Sequence, residues 1–414
     1  MDLLLLIPQA AMKGINSGLR AKAERLLAMA DVKIGGDRPW DISVHHEAIY
    51  GRVFANPSVG LGESYMDGWW DCPQVDQLIA HILAANLERE LPLTVPIIVG
   101  ALKARLFNLQ RREAAFRSGA ASYELGNELY GRMLDREMVY SCGYWNDATN
   151  LEEAQEAKLE LVCRKLGLRS GMRVLDVGSG WGGFARYAVT HYGAQVVGIT
   201  VSKEQLKYSM EHGRGLPLEF RLQDYRDVHE TFDRIVSIGM FEHVGHKNYR
   251  EYMRTMRRNL AEDGIFLLQT IGADKTVIYT DSWAQRCIFP AGHIPSAKQL
   301  TAALEGLFVM EDWQNIGAHY YKTLMEWYSR FDASWSELKP SYGDRFRRMW
   351  NYYLLSSAGA FRARKLQLWQ VVLSKHGLPG GFSLSPPPSR EVTNGAAGVP
   401  GVMAAPDTRG GGVT

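Results

Sequence analysis

No stretch of this chain approaches the roughly 18 consecutive apolar residues that a membrane-spanning helix needs. The apolar run at residues 3–7 is short, follows Asp2 and has its basic residues behind it, the wrong charge order for a secretory signal. Contact with a membrane is therefore expected only from its surface. The four cysteines, Cys72, Cys142, Cys163 and Cys287, include no pair at C-x-x-C spacing. Neither a zinc ribbon nor a disulfide framework is suggested, which points to a reducing, cytoplasmic compartment. His243 and His246 have no ligand-like spacing with other His, Asp or Glu, so no metal is expected. Lys and Arg number 47 against 45 Asp and Glu, a net charge of +2. No global field announces a nucleic-acid partner, and none is expected.

What the chain does have is the stretch VLDVGSGWGGFARY at 174–187, in which Gly178, Gly180 and Gly183 fit G-x-G-x-x-G and Gly182 adds a fourth glycine. Such a loop lets backbone approach a ligand and opens a helix whose first N–H groups are unpaired. No Gly-Lys-Ser/Thr follows, which excludes a phosphate loop of that type. A dinucleotide site also wants an acid about 20 residues on, at the end of the second strand. Here that strand ends in Ile199-Thr200-Val201-Ser202, and the first acid, Glu204, falls in the next helix.

Around the loop, strand and helix patterns alternate from about 170 to 315. Strands are expected at 173–178, 195–200, 218–223, 233–239 and 264–272, and helices at 181–192, 202–213 (capped by Ser202, ended by Gly213) and 246–260. This is the pattern of a doubly wound α/β sheet with its ligand at the carboxyl ends of the strands. Residues 319–375 read as helices and a last strand at 366–375. Residues 1–120 read as a smaller, mainly helical domain, with GLGESYMDGWW (60–70) as a glycine-rich turn into paired tryptophans. Within it, 95–117 is an amphipathic helix carrying Lys103, Arg105, Arg111, Arg112 and Arg117 against Glu113 alone. Such a helix suits an anionic lipid surface, or simply a solvated face. The catalytic domain is expected over 121–378. The last 36 residues hold six Pro and eight Gly, which cannot bury a core, so 379–414 reads as a disordered tail.

The loop's surroundings narrow the ligand. Asp176 lies in the strand before it. Asp224 and Tyr225 follow the third strand, where an adenine could be hydrogen-bonded and covered by a ring, and Phe241-Glu242-His243 follows the fourth. This set resembles the S-adenosylmethionine-dependent methyltransferases of the Rossmann-like class. A sulfonium donor has no pyrophosphate, so the glycines then serve close approach to its methionine end.

Over about 20–376 the resemblance is closer, to the cyclopropane-fatty-acyl-phospholipid synthases. It is carried by GLGESYMDGWW (60–70), YSCGYW (140–145), VLDVGSGWGGFA (174–185), VVGITVSKEQ (196–205), LQDYRD (222–227), MFEHVG (240–245), WAQRCIFP (283–290) and AGAFRARKLQLWQVV (358–372). The resemblance implies transfer of a methylene unit from S-adenosyl-L-methionine to a cis double bond of a phospholipid acyl chain. It implies a bicarbonate base caged by Cys142, Glu242, Gln269, the main chain of Ile271, and Tyr320. It also implies a cofactor site of Tyr140, Ser141, Asp176, Gly178, Gly180, Gly182, Thr200, Gln205, Asp224 and Tyr225. Trp145, Trp181 and Phe241 would wall an acyl channel or simply pack. The partner implied is a bilayer with unsaturated acyl chains, met at the inner face of the membrane, and a homodimer is suggested. A carboxylate beside an anion is repulsive, so Glu242 or the anion must share a proton.

Two positions depart from the family pattern, which has His at Gln269 and at Ser122. An amide donates a hydrogen bond but carries no charge, which keeps open a methyl- or methylene-branched product from the same cation. A membrane-binding protein with a vestigial pocket is the remaining reading from another class.

Overall fold

The apolar runs between 170 and 375 assemble into one seven-stranded sheet, and the chain's amphipathic segments cover both of its faces. The structure, a computed structural model, describes residues 9–87, 125–277, 281–290 and 292–387. A two-residue ribbon pairs β1 (Ser43–Val44) with β2 (Trp70–Asp71). The large sheet consists of β3 (Arg173–Val177), β4 (Gln195–Thr200), β5 (Leu218–Leu222), β6 (Phe232–Ile238), β7 (Leu260–Ala273), β8 (Val309–Asn315) and β9 (Leu366–Ser374). Its order is β5-β4-β3-β6-β7-β9-β8. The first five strands run parallel, and β9 is antiparallel to both β7 and β8. The order reverses direction between β3 and β6, the place where a doubly wound sheet opens a crevice at its carboxyl edge.

In chain order the helices used below are α1 (Gln9–Met29), α2 (Ile49–Ala55), α3 (Pro57–Met66), α4 (Val75–Ala84), α5 (Asn127–Met133), α6 (Leu151–Leu166), α7 (Gly183–Tyr192), α8 (Lys203–His212), α9 (Tyr249–Asn259), α10 (Ala318–Ala333), α11 (Trp335–Tyr342) and α12 (Asp344–Arg362). Capping follows the sequence. Asn150 accepts from Glu153 N at the start of α6, and Gly167 ends that helix in the left-handed region. Ser202 accepts from Gln205 N at the start of α8, as its position before the helix predicts. Because strand side chains alternate faces, Leu175 and Val177 pack with Tyr252 and Met253 of α9, while Val174 packs with Val162 of α6 and Ala188 of α7.

The N-terminal helices share a core with the last ones. Val32, Trp70 and Leu78 lie in one cluster with Trp327 and Phe331 of α10 and Trp350 and Leu354 of α12. Gly359 lets α12 approach α4, since a Cβ there would sit 2.5 Å from Asp76 O. Residues 60–70 correct the sequence reading: they are mostly the end of α3, not a turn. The glycines serve contact instead. A Cβ at Gly60 would lie 2.3 Å from Arg52 O and one at Gly62 2.5 Å from the Trp283 ring.

Strand β8 was not expected either. Its sequence, VMEDWQN, lacks apolar alternation because it is an edge strand with no buried residue. Residues 379–387 lie on the sheet domain, with Arg164 Nε donating to Ser385 O at 2.7 Å and Phe382 packed against the α6–α7 cluster. The rest of the tail, the basic stretch at 95–117 and Ser122 lie outside the described residues.

Candidate active site

The loop after β3 is built on left-handed backbone: φ is +83° at Gly178, +56° at Gly180 and +82° at Gly182. Only glycine adopts such values without strain. A Cβ at Gly178 would also meet the Met240 side chain at 2.9 Å. Gly182 has a packing reason of its own, as its Cβ would lie 2.8 Å from the Phe220 ring.

The loop borders a cavity at the carboxyl edge of the sheet, where β3 and β6 part. Gly178, Gly180 and Asp176 line it from β3, and Thr200 and Gln205 from β4 and α8. Asp224 and Tyr225 line it from the end of β5, and Tyr140 and Ser141 from the segment before α6. Nine of the ten expected cofactor residues thus face one space; Gly182 is not among its lining residues, whereas Gly183 is.

Local bonds fix these side chains. Thr200 Oγ1 donates to Gln205 Oε1 at 3.0 Å. Asp224 is buried and accepts from Arg226 N and Arg226 Nη1, both at 2.9 Å. The Tyr140 hydroxyl bonds that of Tyr353 at 2.7 Å. Asp176 is buried, with Oδ2 unpartnered, and burial pushes its carboxyl up to about 7 against the pull of Lys158.

The expected catalytic residues fall into two groups. Glu242, one turn beyond β6, is buried, and its Oε1 accepts from Ile271 N at 2.6 Å. Among the described residues its Oε2 has no partner, and burial pushes the carboxyl up to about 7. Ile271 lies past the last residue of β7 that pairs with β6, so its N–H meets no β6 partner and is available to Glu242. The N–H expected to face an anion is therefore spent on orienting the carboxyl. Gln269, also on β7, accepts through Oε1 from Gln370 Nε2 of β9 at 3.0 Å. Cys142 and Tyr320 belong to the second group, around α10. Cys142 Sγ donates to Gly143 O at 3.2 Å and lies 3.8 Å from Thr323 Oγ1. Burial pushes its thiol up to about 12, so it stays neutral. Tyr320 is half-buried against Phe361 and Trp327. Of the expected channel aromatics, Trp181 lines the cavity, Trp145 donates to Thr323 Oγ1 at 2.9 Å, and Phe241 stacks on Tyr249 in the core.

His243 and Lys158 line the cavity although neither was placed in the expected cofactor site. His243 is half-buried, and desolvation pulls its imidazole down to about 4, so it is neutral. Lys158 on α6 is fully buried at the cavity wall. A lysine in an amphipathic helix normally reads as solvated. The available signal was Gln155 three residues earlier, among Ala154, Leu159 and Val162, a polar pair on an apolar face.

The family model described as mycolic acid cyclopropane synthetase matches residues 110–371. The cyclopropane-fatty-acyl-phospholipid synthase of Escherichia coli strain K12 is 52% identical over 353 residues, 85% of this chain and 92% of that protein. Among solved structures, the cyclopropane synthase MmaA2 from Mycobacterium tuberculosis superposes with a TM-score of 0.60 at 30% identity, covering 63% of this chain and 98% of that one. The mycolic acid cyclopropane synthase CmaA1 complexed with SAH and CTAB gives 0.59 at 31%, with the same coverage.

Proposed function

We propose a reaction on one premise: the chain belongs to the mycolic acid cyclopropane synthetase family, of S-adenosylmethionine-dependent methyltransferases. The reaction is addition of a methylene unit across a cis double bond of an unsaturated phospholipid acyl chain, giving a cyclopropane. The observation that carries it is the buried, unpartnered Oε2 of Glu242, on the segment that leaves the cofactor cavity at Met240 and His243.

The cavity suits S-adenosylmethionine. Gly178 and Gly180 bare the main chain, while Asp176 Oδ2 has no partner among the described residues and is open to an ammonium group. When bound, that donor supplies an electrophilic one-carbon unit. The protein's tasks follow from the chemistry of an alkene, a poor nucleophile that becomes a cation once it has reacted. Positive charge in an apolar slot is costly unless anions or ring faces stabilise it. Tyr140 and Trp181 line the cavity, and Tyr320 lies against Trp327, which itself contacts Tyr140. These rings supply π faces and exclude water that would capture the cation.

A proton must then leave so that the ring closes. Glu242 can hold one near neutral pH, because burial raises its carboxyl to about 7. Its acid form can donate to an oxyanion, which answers the repulsion between a carboxylate and a bicarbonate ion. Glu242 and the Tyr320 hydroxyl would hold bicarbonate as donors beside Cys142, whose own thiol is turned to Gly143 O, and that ion would supply a base. Ile271 N–H acts one step back, by fixing Glu242.

No described helix is long and apolar enough to cross a membrane. In this reading the enzyme meets the bilayer from its cytoplasmic face. The test is incubation with S-adenosylmethionine and vesicles of cis-unsaturated phospholipid, followed by mass analysis and proton NMR of the chains. Loss of olefinic protons with upfield ring-methylene signals is the expected result. One observation favours a second reading. Gln269 is an uncharged amide tied to Gln370, so deprotonation could occur elsewhere on the cation; a branch methyl or an exocyclic methylene would establish that product instead.

A further inference from the structure

Lys158 has none of its surface exposed, yet among the described residues its Nζ donates only to a neutral group, Ser141 Oγ, at 3.1 Å. Buried lysines are rare, and an ammonium held this way needs a reason. Burial pulls it down to about 8, while Asp135 and Asp176 oppose that pull, so at neutral pH it is mostly protonated.

The direction of the bond then matters. An ammonium can only donate, so Ser141 Oγ accepts and its own hydrogen is left for another acceptor. Among the described residues Ser141 Oγ makes no second bond. The main chain of the same residue is held from the same helix face, since Gln155 Nε2 donates to Ser141 O at 2.7 Å and to Val139 O at 3.3 Å. Gln155 and Lys158, three apart on α6, thus grip residues 139–141 at the cavity wall. The result is a hydroxyl committed as a donor, backed by a positive charge in a water-poor site. Asp176 Oδ2, buried and unpartnered, lines the same cavity.

We propose that Lys158 is a positioning residue which, through Ser141, makes the α6 wall a carboxylate-recognising subsite, so that the pocket selects donors by an intact amino-acid end. This rests on the reading that the cavity holds S-adenosylmethionine. Ser141 takes the carboxylate and Asp176 the ammonium, a matched pair for a zwitterion.

Calorimetry on the full chain tests it with two probes, S-adenosylhomocysteine and its decarboxylated analogue, which keeps the amine. The wild type binds the first more tightly. Lys158→Met and Ser141→Ala each lose roughly 10- to 100-fold for S-adenosylhomocysteine, the range of a charge-assisted hydrogen bond, and keep their affinity for the analogue. Ser141→Ala carries the test alone if Lys158→Met does not fold, because it removes the relayed donor and leaves the buried charge in place. Equal losses for both probes, or no loss, overturn the subsite while leaving the cavity assignment intact. A wild type that binds neither probe overturns the cavity assignment, and the subsite with it.

Discussion

At the end of β3 the Asp176 carboxyl is buried within the field of a lysine; one turn past β6 the Glu242 carboxyl is buried against a main-chain N–H. Burial pushes both up to about 7, and each keeps one oxygen without a partner. What opposes burial differs: Lys158 at Asp176, but a hydrogen bond from Ile271 N–H at Glu242. A carboxyl beside a cation settles as a charge once a ligand adds a second cation. One held by hydrogen bonds alone keeps a proton it can share. On this account the first is a binding group and the second a proton-handling one, placed by neighbouring strands of one sheet.

The largest expected effect breaks the second half of that contrast. Glu242→Gln should lower turnover on unsaturated vesicles by roughly 10²- to 10⁴-fold and leave S-adenosylhomocysteine affinity near wild type. Initial rates and calorimetry on one preparation check both, and a parallel fall in affinity would merge the two sites. Asp176→Asn should do the reverse: affinity drops roughly 10- to 100-fold, with a smaller loss of rate at saturating donor. A rate loss at saturation as deep as that of Glu242→Gln would deny Asp176 its binding role.

Stability against pH sharpens the comparison. Glu242 has its folded value raised from 4.5 to about 7. Its contribution is fully present below the unfolded value and is lost as pH rises through about 7. Glu242→Gln removes that loss, so the variant should gain on the wild type by on the order of 2–3 kcal/mol between about pH 5 and about pH 8. Denaturant titrations at both pH values measure the gap, and a gap that does not change with pH contradicts the buried-acid picture. The smallest effect concerns the Glu242 side alone. Gln269→His breaks the buried amide pair with Gln370 and should cost about 1–2 kcal/mol in the same titrations; an unchanged midpoint would show that the pair contributes nothing.

Much of this was legible in the sequence because the parallel strands are apolar runs ended by glycine or polar residues. The expected strand at 195–200 is β4 to the residue, and 218–223 and 233–239 miss β5 and β6 by one. That these residues share one cavity was legible for the same reason, since motif residues sit at strand ends and a sheet brings strand ends together. What stayed hidden depends on partners distant in sequence. Composition does not show that α3 is a helix whose glycines press on Arg52 and Trp283, and VMEDWQN pairs as β8 only because β9 offers it an edge. The Ile271 N–H reaches Glu242 only because β7 outruns β6. Lys158 hid because helical periodicity gives the face of a residue and not what lies opposite it.

The central claim is that the transferred carbon surrenders a proton beside Glu242 and ends as a ring methylene. Supplying S-adenosylmethionine with a trideuterated methyl group, and analysing the acyl product by mass and deuterium NMR, tests this most directly. The account predicts a cyclopropane carrying two of the three deuterium atoms, with no olefinic signal left in the converted chains. A product that retains all three on a branch methyl would contradict it.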